Sequence, residues 1–198
     1  MSGPYIIGLT GSIGMGKSTT AQMFADAGVP IWDADAAVHR IYGVGGAAVE
    51  PIRNVCPDAI IDGAVSRDAL KDWMSNDASA LKTLEGIVHP LVAQDRAAFL
   101  ADSTAPIVLL DMPLLFEIGA HEHVDLVVVV SAPAEIQRAR VLERGTMTEA
   151  QFETILAKQV PDADKRARAD VIIPTETMDG ARAAVDEVIA HVKEQLDA

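Results

Sequence analysis

Residues 8–19 read GLTGSIGMGKST, and from Gly11 to Ser18 they fit G-x-x-x-x-G-K-S, the pattern of a loop that wraps phosphates in backbone N–H groups. Gly11, Gly14 and Gly16 allow the dihedrals of a tight anion-binding nest. A helix following directly would add its positive end. In such a loop the Lys17 ammonium sits against β- and γ-phosphates, and the Ser18 hydroxyl ligates magnesium. A dinucleotide fingerprint does not fit, because G-x-G-x-x-G starting at Gly14 would need glycine where Thr19 stands. The loop points to a nucleoside triphosphate.

Two further acid positions could work beside it. Asp33-Ala34-Asp35 ends an apolar stretch, and in an extended segment alternate residues share a side, so both carboxylates could face one pocket. Such acids could take a proton from an attacking hydroxyl or hold magnesium. Asp33 is the general-base candidate, and Asp35 is a metal candidate or the N-cap of a following helix. Asp111, ending Ile107 to Asp111 ahead of Pro113, resembles the strand-end acid that holds magnesium in P-loop proteins. Arg140 and Arg144, four apart, share one helix face. With Arg138 they precede a Gly145 break and a second helix, an arrangement suited to a lid that brings guanidinium groups onto phosphates. Their acidic neighbours suggest that Arg140 and Arg144 form their stabilising contacts mainly when ATP or the transferring phosphoryl group is present.

These residues need a parallel sheet to position them. Strands are expected at Tyr5 to Thr10, Pro30 to Asp33, Ile107 to Asp111, Val124 to Val130 and Val171 to Ile173. Their continuous apolar character suits burial on both faces. Helical patterns alternate with them at Ser18 to Ala27, Ala34 to Tyr42, Ala80 to Ala101, Ala134 to Arg144, Glu149 to Lys158 and Met178 to Leu196. This is an α/β, doubly wound, five-stranded parallel sheet with a helical insertion from Gly43 to about Ala101. Ligands of such sheets gather at the carboxyl ends of strands.

The chain has 198 residues, 49% of them hydrophobic, enough for one compact unit. Its net charge of −13 disfavours nucleic acid and anionic membranes as partners. Seven of its sixteen basic residues nevertheless lie between Arg138 and Arg168, against five acids there, which suits a small polyanionic ligand. Apolar runs are too short to span a bilayer, no secretory signal is visible, and the single Cys56 cannot form an intrachain disulfide. A cytoplasmic monomer is expected.

Taken together, the residues resemble the dephospho-coenzyme A kinase family. The likeness rests on residues 8–19, Asp33-Ala34-Asp35, His89-Pro90-Leu91-Val92, Pro113 to Glu117, Gln137-Arg138-x-Arg140 with Arg144, and Gln159 ahead of Ala169-Asp170-Val171-Ile172. They run in the family's order along almost the whole chain. The resemblance implies one P-loop kinase domain over 1–198, with a core near 1–42, 106–137 and 165–198. A helical coenzyme A subdomain would occupy about 43–105 and a lid about 138–160. It implies transfer of phosphate from ATP, with Mg2+, to the 3′-hydroxyl of dephospho-coenzyme A, the last step of coenzyme A synthesis. Gly11, Ser12, Ile13, Gly14, Met15, Gly16, Lys17, Ser18 and Thr19 would then cradle ATP, with Arg144. Lys17, Asp33 and Arg140 would be catalytic, and Ser18, Asp35 and Asp111 would serve the metal. Asp33, His89, Pro113, Leu114 and Leu115 would meet the acceptor. The chain departs from the family at Ser12 (often Gly), at Pro174-Thr175 (often an Asn after the last strand), and at Ile155, where some members carry a lid arginine and Lys158 stands as the possible substitute.

Another small P-loop kinase would share loop and lid but would have no need of the other motifs. A nucleotide-dependent switch would be marked by turnover that needs no acceptor, and no Asn-Lys-x-Asp guanine-reading motif occurs.

Overall fold

The computed structural model describes residues 3–197. The chain divides into two compact units, residues 1–31 with 103–198, and residues 32–102. The division falls within β2 (Ile31–Asp33).

The first unit is built on parallel strands. β1 (Tyr5–Thr10) lies between β5 (Ile107–Asp111) and β6 (Leu126–Ser131), and β6 pairs with β7 (Val171–Pro174), all in parallel. The sheet order is β2-β5-β1-β6-β7. Every residue of β5 and β6 is buried, as strands covered on both faces require. The register sets Leu9 beside Asp111 and Thr10 beside Val129, so the chain leaves β1 for the glycine-rich loop next to the Asp111 carboxylate.

α1 (Lys17–Asp26) follows that loop. It buries Thr20, Ala21, Met23 and Phe24, and stops where Gly28 and Val29 donate back to the carbonyls of Ala25 and Phe24. α9 (Met178–Leu196) starts at Thr177, whose hydroxyl accepts from the Gly180 N–H at 3.2 Å. It buries Ala181, Val185, Val188, Ile189 and Val192, a stripe of helical period that packs with α1 against the sheet.

In the second unit α2 (Ala34–Tyr42) lies against α5 (Ala80–Asp102). α2, read from sequence as part of the nucleotide-binding core, therefore packs with the insertion. Ile41, Ile52, Leu70 and Leu84 centre a separate apolar core. α4 (Arg67–Asn76) fits the expectation of mostly helical structure after Ser66, whereas α3 (Val49–Val55) and the hairpin β3 (Ile60–Ile61) to β4 (Ala64–Val65) were not expected from the sequence. The hairpin turns on Asp62 and Gly63, both at positive φ, and Asp-Gly between apolar pairs was its signal. α4 starts at Ser66, whose hydroxyl accepts from the Ala69 N–H.

Phe24 has no exposure at all and sits between α1 and the sheet. Phe24→Ala should cost about 3–5 kcal/mol, read as a lower midpoint in urea at unchanged slope.

Candidate active site

The loop from Gly11 to Gly16 is shaped by close approach. A methyl at Gly11 would lie 2.3 Å from Val130 Cγ2, and one at Gly14 would lie 2.9 Å from the Gln137 carbonyl. Gly14 also has φ +79, where a side chain is strained in any case. Side chains from other elements then hold the loop. Thr175 donates its hydroxyl to the Met15 carbonyl at 2.8 Å, and Thr10 donates to the Pro113 carbonyl at 3.1 Å. The Ile13 carbonyl accepts from Gln137 Nε2 at 2.6 Å, and the Ile13 N–H donates to Gln159 Oε1 at 3.0 Å. Ser12 is buried, and its hydroxyl has no hydrogen-bond partner among the described residues.

Gly16 is the N-cap of α1, and no side chain caps that end. The first-turn N–H groups therefore stay available to an anion. Lys17 forms an ion pair with Asp111, whose side chain is 3% exposed. Ser18 and Thr19 are exposed on the same first turn. A cavity of about 360 Å³ lies beside them, lined by Gly16, Thr19, Arg140, Arg144, Thr175 and Met178 among others.

The arginines sit on α6 (Ala134–Glu143) and just beyond it. Arg138 pairs with Glu149 and Glu153 of α7 (Glu149–Leu156), joining the two helices of the expected lid. Arg140 does not wait for phosphate, contrary to the sequence expectation. Its Nη1 donates to Thr175 Oγ1 at 3.1 Å and its Nη2 to the Thr175 carbonyl. The unexpected partner is Thr175. Arg144 is exposed at the rim of the cavity. Ile155 and Lys158, beyond the break at Gly145, are exposed and do not line it.

Of the expected acceptor contacts, Leu115 is wholly buried and packs near Gly8, so it is a core residue and cannot meet a ligand. Leu114 is 46% exposed, and Pro113 is half-buried. In the second unit Asp33 N-caps α2, its Oδ1 accepting from the Ala36 N–H at 2.6 Å. Asp35 lies one helical step further on and is exposed. The strand alternation that would have put both carboxylates on one side therefore ends at Asp33, and the capping role falls to Asp33, not Asp35. His89 is exposed on α5, one residue before Pro90 inside that helix.

Sequence reading also missed a buried pair. Lys165, on α8 (Asp162–Ala167), is fully buried and lies 3.0 Å from Glu117 Oε1, which also accepts from the Val160 N–H at 2.9 Å. Burial pushes the Glu117 carboxyl up, but the Val160 N–H, its own N–H and the Lys165 ammonium outweigh this and hold it below the usual carboxylate range.

A glycine-rich loop between a central parallel strand and a helix, with its lysine on a strand-end acid, defines a P-loop phosphotransferase fold. The dephospho-CoA kinase family profile matches residues 5–179. The dephospho-CoA kinase of Cereibacter sphaeroides is 60% identical over 98% of this chain and 99% of its own length. That of Ruegeria pomeroyi is 58% identical over 96% of each. A crystal structure of a Thermus thermophilus protein superposes with a TM-score of 0.85 at 32% identity, covering 96% of this chain and 98% of its own. A shikimate kinase from Acinetobacter baumannii shares the fold at TM-score 0.54 and 17% identity, over 97% and 94%. The chain belongs to the dephospho-CoA kinase family.

Because the folded Glu117 pKa is depressed, its stabilising effect is full above the unfolded value of about 4.3 and is lost as pH falls through the folded value. Wild type should therefore lose melting temperature below about pH 5 more steeply than a Glu117→Gln/Lys165→Met variant, measured by calorimetry from pH 7 to pH 3.

Proposed function

We propose that this chain transfers the γ-phosphoryl group of ATP to the 3′-hydroxyl of dephospho-coenzyme A, giving coenzyme A and ADP. Membership of the family supports the acceptor. The observation that carries the phosphoryl chemistry is the Lys17–Asp111 pair at the mouth of an uncapped α1, beside a loop with no room for a side chain at Gly11 or Gly14.

On this reading residues 11–19 form the cradle: the N–H groups at the start of α1 take the phosphates, and Lys17 shifts its charge from Asp111 toward the β- and γ-oxygens. The adenosine lies in the cavity beside Thr19 and Arg144. Arg140, already aligned by Thr175, stabilises charge as it develops on the transferring group. Asp33 accepts the proton of the 3′-hydroxyl through the oxygen not spent on the helix cap. The hydroxyl oxygen bonds to the γ-phosphorus as the bond to the β–γ bridging oxygen breaks, and ADP leaves. His89, Pro113 and Leu114 are assigned to the acceptor. Residues near 43–105, joined by α2, would form its subdomain and 138–160 the lid, with the core near 1–31, 106–137 and 165–198.

The donors present suit magnesium. Ser18 offers a hydroxyl and Asp111 a carboxylate, and magnesium asks for one or two such groups with phosphates and water, not a protein cage. Among the described residues no cluster of three or more metal-binding side chains occurs. When bound, the ion would neutralise phosphate charge. Ser18 and Asp111 would hold it, with Asp35 as the further candidate. The chain is proposed to act as a monomer. The charge of −13 favours neither nucleic acid nor an anionic membrane as partner. No helix among the described residues is long and apolar enough to cross a membrane.

A coupled assay should find ATP turnover that depends on dephospho-coenzyme A, and acceptor-independent hydrolysis would overturn the reading. Lys17→Ala should lose about 3 kcal/mol of transition-state stabilisation with its fold intact by circular dichroism. Asp33→Asn retains an equally good cap, so its melting temperature should hold while kcat falls roughly 100-fold and ATP affinity survives. Lost ATP affinity with kcat preserved would make Asp33 a nucleotide or metal ligand instead.

A further inference from the structure

We infer that Gln137 and Gln159 grip the backbone of one residue, Ile13, at its carbonyl and its N–H, from the two ends of the arginine-bearing arm, so that arm and phosphate loop respond to ATP as one unit. The inference rests on the reading of that loop as the ATP site. Gln137 immediately precedes the arm's first arginine, Arg138, and Gln159 follows its last lysine, Lys158. One side chain accepts the Ile13 N–H and the other donates to the Ile13 carbonyl. A peptide N–H can only donate and a carbonyl can only accept, so each carboxamide is held in one orientation.

Both grips are made rigid from behind. Gln137 is 4% exposed, and its own carbonyl closes on the space a side chain at Gly14 would need. Gln159 is fixed by the next residue, because the Val160 N–H is tied to Glu117, which Lys165 holds in place. A third link runs from α6 in parallel, since Arg140 reaches Thr175, and Thr175 donates to the Met15 carbonyl. The residues on either side of Gly14 are thus both fastened to the arm. With the Ile13 N–H and carbonyl both engaged, the two peptide groups that flank its Cα are each held against turning over, and the phosphates are left to other amides. The glutamines are positioning residues, acting on ATP through the loop.

The chemistry makes the two glutamines respond differently to one substitution. Gln159→Glu still accepts from the Ile13 N–H, whereas Gln137→Glu can no longer donate. The test combines ATP titration by calorimetry, steady-state kinetics and hydrogen exchange at the Ile13 amide. Gln159→Ala should weaken ATP binding and raise the ATP KM about tenfold, leaving kcat at saturation and the acceptor KM within about twofold. Ile13 protection in the ligand-free protein should drop about tenfold in Gln159→Ala and persist in Gln159→Glu. Gln137→Ala and Gln137→Glu should weaken ATP binding alike. Because both side chains act on consecutive peptide groups of one residue, the double alanine variant should bind ATP within about threefold of the weaker single variant. Unchanged ATP affinity in Gln159→Ala, additive losses in the double variant, or equal Ile13 protection in Gln159→Ala and Gln159→Glu would each overturn the inference. Wild type that bound no ATP would instead overturn the ATP reading, and Ile13 protection would still decide whether the grip exists.

Discussion

An anion-binding loop works only while its own N–H groups are unspent, so the rest of the molecule must hold it in shape by other means. Here the means are steric and lateral. Val130 and the Gln137 carbonyl crowd the loop where Gly11 and Gly14 lack side chains. Thr175 takes the Met15 carbonyl, and Gln137 takes that of Ile13. These contacts use the loop's acceptors. Among the described residues, the Ile13 N–H is the one backbone donor of the loop committed to a side chain, that of Gln159. Each such hydrogen bond contributes only about 1 kcal/mol, so shape comes mainly from close packing, and the bonds choose among the few arrangements packing allows.

The same constraint governs the charges. A carboxylate as buried as Asp111 needs a partner, because desolvation costs several kcal/mol per ion. Lys17 supplies it while the site holds no phosphate and is thereby kept at the loop. Arg140 is treated alike, held by Thr175 at the edge of the cavity. Both cations are held in place by the protein's own groups, which on the proposed function would leave little ordering for a polyanion to impose.

What the sequence revealed follows from how local each signal is. The phosphate loop, β1, β5 and α9 are written in contiguous residues, and their limits agree with the chain's own glycines, acids and apolar periods. α2 also matched its limits, but its allegiance did not, since nothing in residues 34–42 says that α5 will be its neighbour. Asp33 and Asp35 were misjudged as a facing pair because a helix begins between them, and the cap that starts it is Asp33 itself. Leu115 looked like part of a ligand-facing motif, and only the tertiary packing beside Gly8 shows it to be core. Thr175, Gln159 and the Glu117–Lys165 pair act across long sequence separations. A lone lysine among charged neighbours reads as solvated, and only the assembled fold buries it.

The Glu117–Lys165 pair bears on how this chain could change over time. Loss of either partner alone leaves a buried charge uncompensated, at a cost of about 3–5 kcal/mol, against a typical domain stability of about 5–15. Loss of both together in favour of apolar side chains is often neutral or better. The two positions therefore form a valley in sequence space. Lineages cross it by a paired exchange or after stability has first been gained elsewhere, and until then the two residues evolve as one character.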